Sequence, residues 1–285
     1  MARLVVLALE DGGFSFNHFL VAGLFPHWRD AGHEVMVHEG IDNLPDADLA
    51  LLHVDLTVVP PDYLQALRRY PAVINGATAD IGKRTFSRHL VTEGDGYTGP
   101  VIVKTNLNCG GIPEAFRRKV ALEKGLAAGP PVRFMRGRYP VFPSATQVPA
   151  GAFRDPELVV EKFVPEQDQR GFYMRTWVFF GDSGRCNRLL GLQPVVKAGD
   201  VIERVPCEVP EAIRAERERM QFDYGKFDFV IHQGEPILLD VNRTPTVPAN
   251  LSEAILAGMG PLAAGLDLFV QRASRTSVGQ RSPNS

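Results

Sequence analysis

FDFVIHQGEPILLDVNRTP, residues 227–245, holds two strand signals around one turn. Residues 227–232 alternate aromatic and β-branched types, Gln233-Gly234-Glu235-Pro236 supplies turn residues, and residues 237–241 form a short apolar run. This pattern predicts an antiparallel hairpin. Side chains alternate across a strand, so Asp240 and Asn242 share a face. Asp228, on the partner strand twelve residues before Asp240, comes alongside by pairing across the turn. Three hard oxygen ligands on one face suit Mg²⁺, which takes one or two carboxylates and fills its shell with water and substrate phosphates. For either acid the alternative is a strand end facing solvent, but Asp240 lies inside ILLDVN, where a bare charge is costly.

A chain of 285 residues suits two modest domains, or one with an inserted lobe, and can bury a sizeable core. A formal net charge of −2, with 22% charged residues, gives no sign of a nucleic-acid or anionic-membrane partner. Cys109, Cys186 and Cys207 are widely spaced without a CxxC or Cys/His cluster, which argues for reduced thiols and against zinc or a disulfide framework. The cytoplasm is the expected location. No run of eighteen apolar residues occurs, and RLVVLALE follows Met1-Ala2 directly, so neither a membrane span nor a signal peptide is expected. SRTSVGQRSPNS, residues 274–285, reads as a disordered tail or an appended remnant.

Residues 1–75 alternate strand and helix signals: RLVVLAL, a helix over 17–30 ending at Ala31-Gly32, HEVMVH, ADLALLHV, a short helix over 62–69, and AVIN. A small parallel α/β domain follows. Glu10-Asp11-Gly12-Gly13-Phe14 does not match GxGxxG, so a dinucleotide site is not expected there. His53 and Asp55 fall at a strand end, where open α/β sheets place ligands; turn or cap chemistry is the alternative.

Beyond Ile81, a helix is expected over 83–90. PVIVKTNLNCGG then reads as a strand entering a Gly/Asn-rich turn. Lys104 closes that strand beside Asn106, Asn108, Gly110 and Gly111, whose backbone N–H groups can meet phosphate oxygens; a plain turn with a solvated lysine is the other reading. Residues 112–160 are less regular. Their arginines, Arg133, Arg136 and Arg138, either contact phosphate or an acidic substrate or form a solvated basic surface. LVVEKFVPEQ places Glu161-Lys162 in an apolar strand, and an adenine slot accounts for that: backbone meets the base edge, apolar residues cover its faces, and Glu166 reaches the ribose. Arg175, among bulky apolar neighbours, is either in an internal ion pair or aimed at developing negative charge.

Taken in order, Lys83, Lys104 with its glycine loop, Glu161 to Glu166, Arg175, Asp228, Asp240 and Asn242 resemble the ATP-grasp superfamily of carboxylate–amine ligases. DFVIHQGEPILLDVNRTP is similar to that family's metal-binding strand pair, which ends in acid-x-Asn followed by a small residue and proline. The resemblance implies an α/β pre-ATP-grasp domain over 1–75, then an α+β ATP-grasp fold of two lobes over 76–273, with a mobile lobe at about 98–160. It implies ATP and Mg²⁺, with Mn²⁺ as a substitute, and an acyl-phosphate route to an amide-type bond. Lys83 and Lys104 would hold phosphates under the Asn106–Gly111 loop; Glu161, Lys162, Phe163 and Val164 would line adenine; Glu166 would bind ribose. Asp228, Asp240 and Asn242 would hold the metal, while Arg175 and Lys104 would act on the transferred phosphoryl group. Asp55, Thr57, Arg243 and Thr244 would line the substrate pocket, for small-molecule or peptide carboxylates and amines.

Three positions depart from the family pattern. Asp240 stands where glutamate is usual, only 21 residues separate Lys83 from Lys104, and no glycine follows Pro245. The competing functions are a small-molecule kinase using the same nucleotide site and a non-catalytic nucleotide-binding regulator. A homodimer is the default association.

Overall fold

The computed structural model describes residues 1–10, 16–135, 139–247 and 252–279. Its first sheet forms from the four apolar runs of the N-terminal segment: β1 (Arg3–Ala8), β2 (Glu34–Glu39), β3 (Leu49–His53) and β4 (Ala72–Ile74), all parallel in the order β2-β1-β3-β4. Both faces of this sheet are buried, which is why its central strands read as continuous apolar runs. Leu4 and Val6 pack on one side with Leu49 and Leu51, whereas Val5 and Leu7 pack on the other with Ala50 and Leu52.

The helix expected over 17–30 is only partly α-helical: 3₁₀ turns at Phe16–His18 and Leu20–Leu24 precede α1 (Phe25–Asp30). Tertiary pairing interrupts it, since Phe19 bridges Thr246 and Leu20 N donates to Pro245 O at 2.8 Å. Gly32, at φ +83°, ends α1 as read from the sequence. Next come α2 (Pro61–Ala66), continued by a 3₁₀ turn to Arg69, and α3 (Lys83–Phe86), shorter than the 83–90 expected.

A second, smaller sheet takes β5 (Val101–Thr105), β6 (Val141–Phe142) and β7 (Leu158–Lys162) in the order β6-β5-β7. The supposedly irregular 112–160 segment contains α4 (Ile112–Glu123) and α5 (Ala150–Arg154). Ile112, Phe116 and Val120 repeat along α4 at helical spacing, although among its residues only Pro113 is buried.

The third sheet holds β8 (Glu166–Asp168), β9 (Gly171–Phe180), β10 (Ser183–Gly191), β11 (Val201–Pro206), β12 (Tyr224–His232) and β13 (Glu235–Asn242). Its order is β11-β10-β9-β12-β13, with β8 on β9. Trp177, Phe179, Cys186, Phe227, Phe229 and Val241 cover its back with Ile213 of α6 (Glu211–Arg219). Strand alternation therefore turns Met174, Lys226, Asp228 and Asp240 to the front.

The C-terminal helices α7 (Glu253–Ala257), α8 (Gly260–Ala263) and α9 (Leu266–Gly279) follow. Leu262, Leu266, Phe269 and Ala273 pack against the parallel sheet, so the end of the chain covers its beginning. Of the segment 274–285, residues 274–279 belong to α9. Residues 280–285 lie outside the described residues. Among the described residues no helix is long and apolar enough to cross a membrane.

Candidate functional site

β12 and β13 join through a two-residue turn, Gln233 at φ +52° and Gly234 at φ +87°, with His232 opposite Glu235. Two positive φ values in succession give the turn that matches strand twist. Glu235 and Pro236, read as turn residues, belong to β13. His232 is half-buried, with Nδ1 3.0 Å from Pro165 O. Register set by this turn alone would put Asp228 opposite Leu239. A bulge between Asp228 and Phe229 shifts the pairing, and Asp228 faces Asp240 directly.

Two like charges so placed repel, and lysines offset them. Lys226 Nζ lies 2.8 Å from Asp228 Oδ2, and Lys83 Nζ lies 3.3 Å from Asp240 Oδ1. Burial disfavours the Lys83 ammonium, yet Asp240, helped by Tyr139 and Glu161, holds its pKa above the ordinary value. Lys226 behaves likewise, its burial outweighed by Asp228. Asp228 Oδ1 is buried without a hydrogen-bond partner, so this acid has an unmet acceptor. Asn242 shares the face, and its Oδ1 accepts from Thr244 N at 2.8 Å and Thr244 Oγ1 at 3.3 Å. Among the described residues no three His, Cys, Asp or Glu side chains cluster as a metal cage. A pair of opposed acids with an unmet oxygen fits a Mg²⁺ ion that brings its remaining ligands with a substrate.

Beside the acids a cleft separates the second and third sheets. Ile102 and Lys104 of β5 and residues 161–165 form one wall; Met174, Val230 and Ile237 to Leu239 form the other, and Pro194 to Val196 close the lip. Its mainly apolar lining, with a few charged groups at the edge, is that of a small-molecule site. Glu161, Lys162, Phe163 and Val164 all line it. Lys104 Nζ pairs with Glu161 at 2.8 Å, so the buried charges in this strand pair neutralise each other. The N–H groups of Lys162 and Phe163 donate to His89 O and Pro100 O, both at 2.8 Å, and do not face the cleft as donors.

The loop after β5 is tightly built. Cys109, Gly110 and Gly111 take φ of +46°, +68° and +78° before α4 begins. A Cβ on Gly110 would stand 2.5 Å from Met135 O. The N–H groups of Asn106 and Asn108, expected to face phosphate, instead donate to Glu157 O and Thr57 Oγ1, each at 2.7 Å. Asn106 also accepts from Lys83 N and Arg84 N, tying α3 to this loop. Asn242 Nδ2 reaches Cys109 Sγ at 3.8 Å, which brings the loop to the acid pair.

Several expected roles change. Arg175 lies on the back of the third sheet, where its guanidinium bonds Glu166 at 2.8 and 3.0 Å; this is the internal ion pair, not the charge aimed at the front. Glu166 also accepts from Ile231 N at 2.8 Å, so its carboxylate is committed to that pair and to the strand. Arg243 is fully buried and donates to carbonyls of Leu56 and Thr78 at 2.5 Å and of Val54 at 3.4 Å, which removes it from a substrate-lining role. Thr57 N and Oγ1 both donate to Glu114, at 2.7 and 2.6 Å. Asp55 accepts from Thr244 Oγ1; burial, with the neighbouring Glu114 charge a lesser contributor, pushes its pKa up to about 6. Arg133 forms a surface pair with Asp155 at 3.0 Å, and Arg136 and Arg138 lie outside the described residues.

Lys226 escaped the sequence reading because the strand was begun at 227. With β12 starting at Tyr224, Lys226 falls two residues before Asp228 and hence on its face. The cleft lip at 194–196 also went unseen.

No protein-family model and no curated protein matches the chain. Among solved structures, D-alanine–D-alanine ligase from Bacillus anthracis complexed with ATP matches at TM-score 0.53 and 14% identity, over 98% of this chain and 100% of that one. A RimK domain protein ATP-grasp from Sphaerobacter thermophilus DSM 20745 matches at TM-score 0.48 and 15% identity, over 93% and 99%. The shared fold with the ATP-complexed ligase agrees with the two sheets facing each other across the cleft: the chain has the ATP-grasp fold.

Proposed function

We propose that this chain, built on the ATP-grasp fold, is an ATP- and magnesium-dependent ligase that joins a carboxylate to an amine through an acyl phosphate. One observation carries the reading: Asp228 and Asp240 stand opposed and paired with Lys226 and Lys83, and β13 carries Asp240 directly after Leu239, which lines an apolar cleft walled by Glu161 to Pro165 with Lys104. An adenine fits between Ile102 and Met174, with Val164 as a backbone donor to its edge. Asp228 and Asp240 would hold Mg²⁺, with Asn242 beside them, and the ion would neutralise charge on the phosphates.

Lys83 and Lys226, now occupied by the acids, are the cations that turn to phosphate oxygens, and the backbone of 109–111 covers them from the loop side. The substrate carboxylate oxygen attacks the γ-phosphorus and ADP departs. The amine nitrogen then attacks the acyl carbon, phosphate departs with the bonding pair, and the nitrogen loses a proton. Lys226 takes the role first read onto Arg175, since it stands on the correct face. Asp55, at the end of β3 on the substrate side, is the remaining candidate from the substrate group.

Calorimetric titration of ATP with and without Mg²⁺ tests the site. Binding that requires the metal and weakens at least ~10-fold in Lys104→Ala and Asp240→Ala is expected. A wild-type chain that binds no adenine nucleotide sinks the proposal. Phosphate release with a panel of carboxylates and amines then separates a ligase from a kinase, because a kinase leaves a phosphorylated acceptor. Lys226→Met should cut turnover by about 100-fold or more while the fold persists.

A further inference from the structure

We propose that Cys186 and Cys207 form a reversible disulfide that staples the edge strand β11 to β10 behind the cleft. Their sulfurs stand 3.4 Å apart as free thiols. The pairing of Asn187 with Pro206 continues one step outward, where Cys207 N donates to Cys186 O at 3.1 Å. The two cysteines are thus opposite residues of an antiparallel ladder. Such hydrogen-bonded pairs hold their Cα atoms about 5.5 Å apart, inside the roughly 4.4–6.8 Å a disulfide spans. Closing the gap to about 2.05 Å needs side-chain rotation and a small approach of the two Cβ atoms, from the roughly 4.5–5.5 Å of paired strands to the roughly 3.5–4.5 Å of a disulfide, a shift that the exposed edge strand β11 can make.

The environment assigns the two sulfurs different parts. Cys186 is buried beside Trp177 and Phe179, whereas Cys207 is half-buried and lies next to the Arg175 guanidinium. An oxidant therefore meets Cys207 first. With oxidised glutathione, the Cys207 thiolate attacks one sulfur and expels a glutathione thiolate. Cys186 then gives up its proton, attacks the Cys207 sulfur of the mixed disulfide and expels the second glutathione. Two protein thiols are oxidised and one glutathione disulfide is reduced to two thiols. A bond that forms and opens in this way is compatible with a reducing compartment, where protein disulfides are mostly transient.

The staple has a mechanical consequence at the cleft. The connection from β10 to β11 carries Pro194, Val195 and Val196 to the lip, and β11 is a largely exposed edge strand whose pairing with β10 shifts register at Leu190/Gly191. Tying β11 down at Cys207 limits peeling of this hairpin and so of the lip it carries. Nothing in this depends on the identity of the ligand in the cleft.

The test equilibrates the full chain in glutathione buffers of graded poise, alkylates free thiols and maps peptides by mass. The expected product in wild type is a 186–207 cross-link with loss of two hydrogens, an alkylated Cys109, and reversal by dithiothreitol. Hydrogen exchange across residues 192–206 should slow at least about 10-fold on oxidation, and the thermal midpoint should rise by about 5 °C. Neither change should occur in Cys186→Ser, where the Cys207 thiol takes up one glutathione, or in Cys207→Ser, where the buried Cys186 stays a thiol. Cys186 and Cys207 both alkylated at every poise in folded wild type overturns the proposal, as do cross-links that run through Cys109 or between chains. A wild type whose exchange and midpoint ignore the cross-link overturns the staple.

Discussion

Arg175 stands between Met174 and Thr176 in β9, yet its guanidinium ends on the face opposite to theirs, bonded twice to Glu166. One step along a strand reverses a side chain, so the residue type alone could not assign this arginine to the front. Arg175→Ala should cost about 3 kcal/mol in urea denaturation, because it leaves a mostly buried carboxylate with one cation fewer, while the dissociation constant for ATP moves by less than about threefold. A loss of nucleotide binding in a folded variant would return Arg175 to the site. His53 makes the second prediction. Burial, then the nearby Arg243 charge, lowers its pKa from 6.5 to about 3, so the unfolded chain binds the proton more tightly than the folded one. Its contribution is complete above pH 6.5 and is lost as pH falls toward 3, with a slope approaching ~1.4 kcal/mol per pH unit. His53→Leu should flatten stability between pH 6.5 and 4; an unchanged slope would show that other groups carry it.

At the scale of elements, a single extra residue decides the acid pair. The two-residue turn and the bulge together set Asp228 against Asp240, and only the turn was legible in sequence, as Gln233-Gly234. Bulges arise where neighbouring strands demand a shift, and β12 is constrained on its other edge by β9, where Asp228 meets Thr176. The loop between β5 and α4 was legible as a Gly/Asn turn, but its strain was not. Gly110→Ala forces a Cβ against Met135 O at φ +68° and should cost ~2–3 kcal/mol and weaken ATP binding. Gly234→Ala, at φ +87° with nothing within 4 Å, should cost only about 1 kcal/mol and leave binding alone. Thermal unfolding and calorimetry on the pair check both; equal costs would mean that only the dihedral matters.

For the whole molecule, Arg243 is the tie that joins the site to the parallel sheet. Fully buried, it reaches from the end of β13 to carbonyls of Val54, Leu56 and Thr78, and its burial lowers its pKa to about 10 without discharging it at neutral pH. Arg243→Met leaves those carbonyls short of donors and should destabilise the chain by about 3–5 kcal/mol, read as a lower denaturation midpoint. A change below ~1 kcal/mol would show that water replaces it without difficulty. α9 packing on the first sheet has the same meaning: the N-terminal segment is completed by the end of the chain.

The strands of the parallel sheet and the hairpin that carries the two acids were legible in sequence alone, because period-two alternation and turn chemistry are local. What only the tertiary structure decided is which charges meet. Lys226 joining Asp228, Arg175 leaving for Glu166, Arg243 turning inward and the Cys186–Cys207 approach all depend on strand register and on which face packs against α6. Those choices are settled by burial summed over distant segments, and no window of sequence contains them.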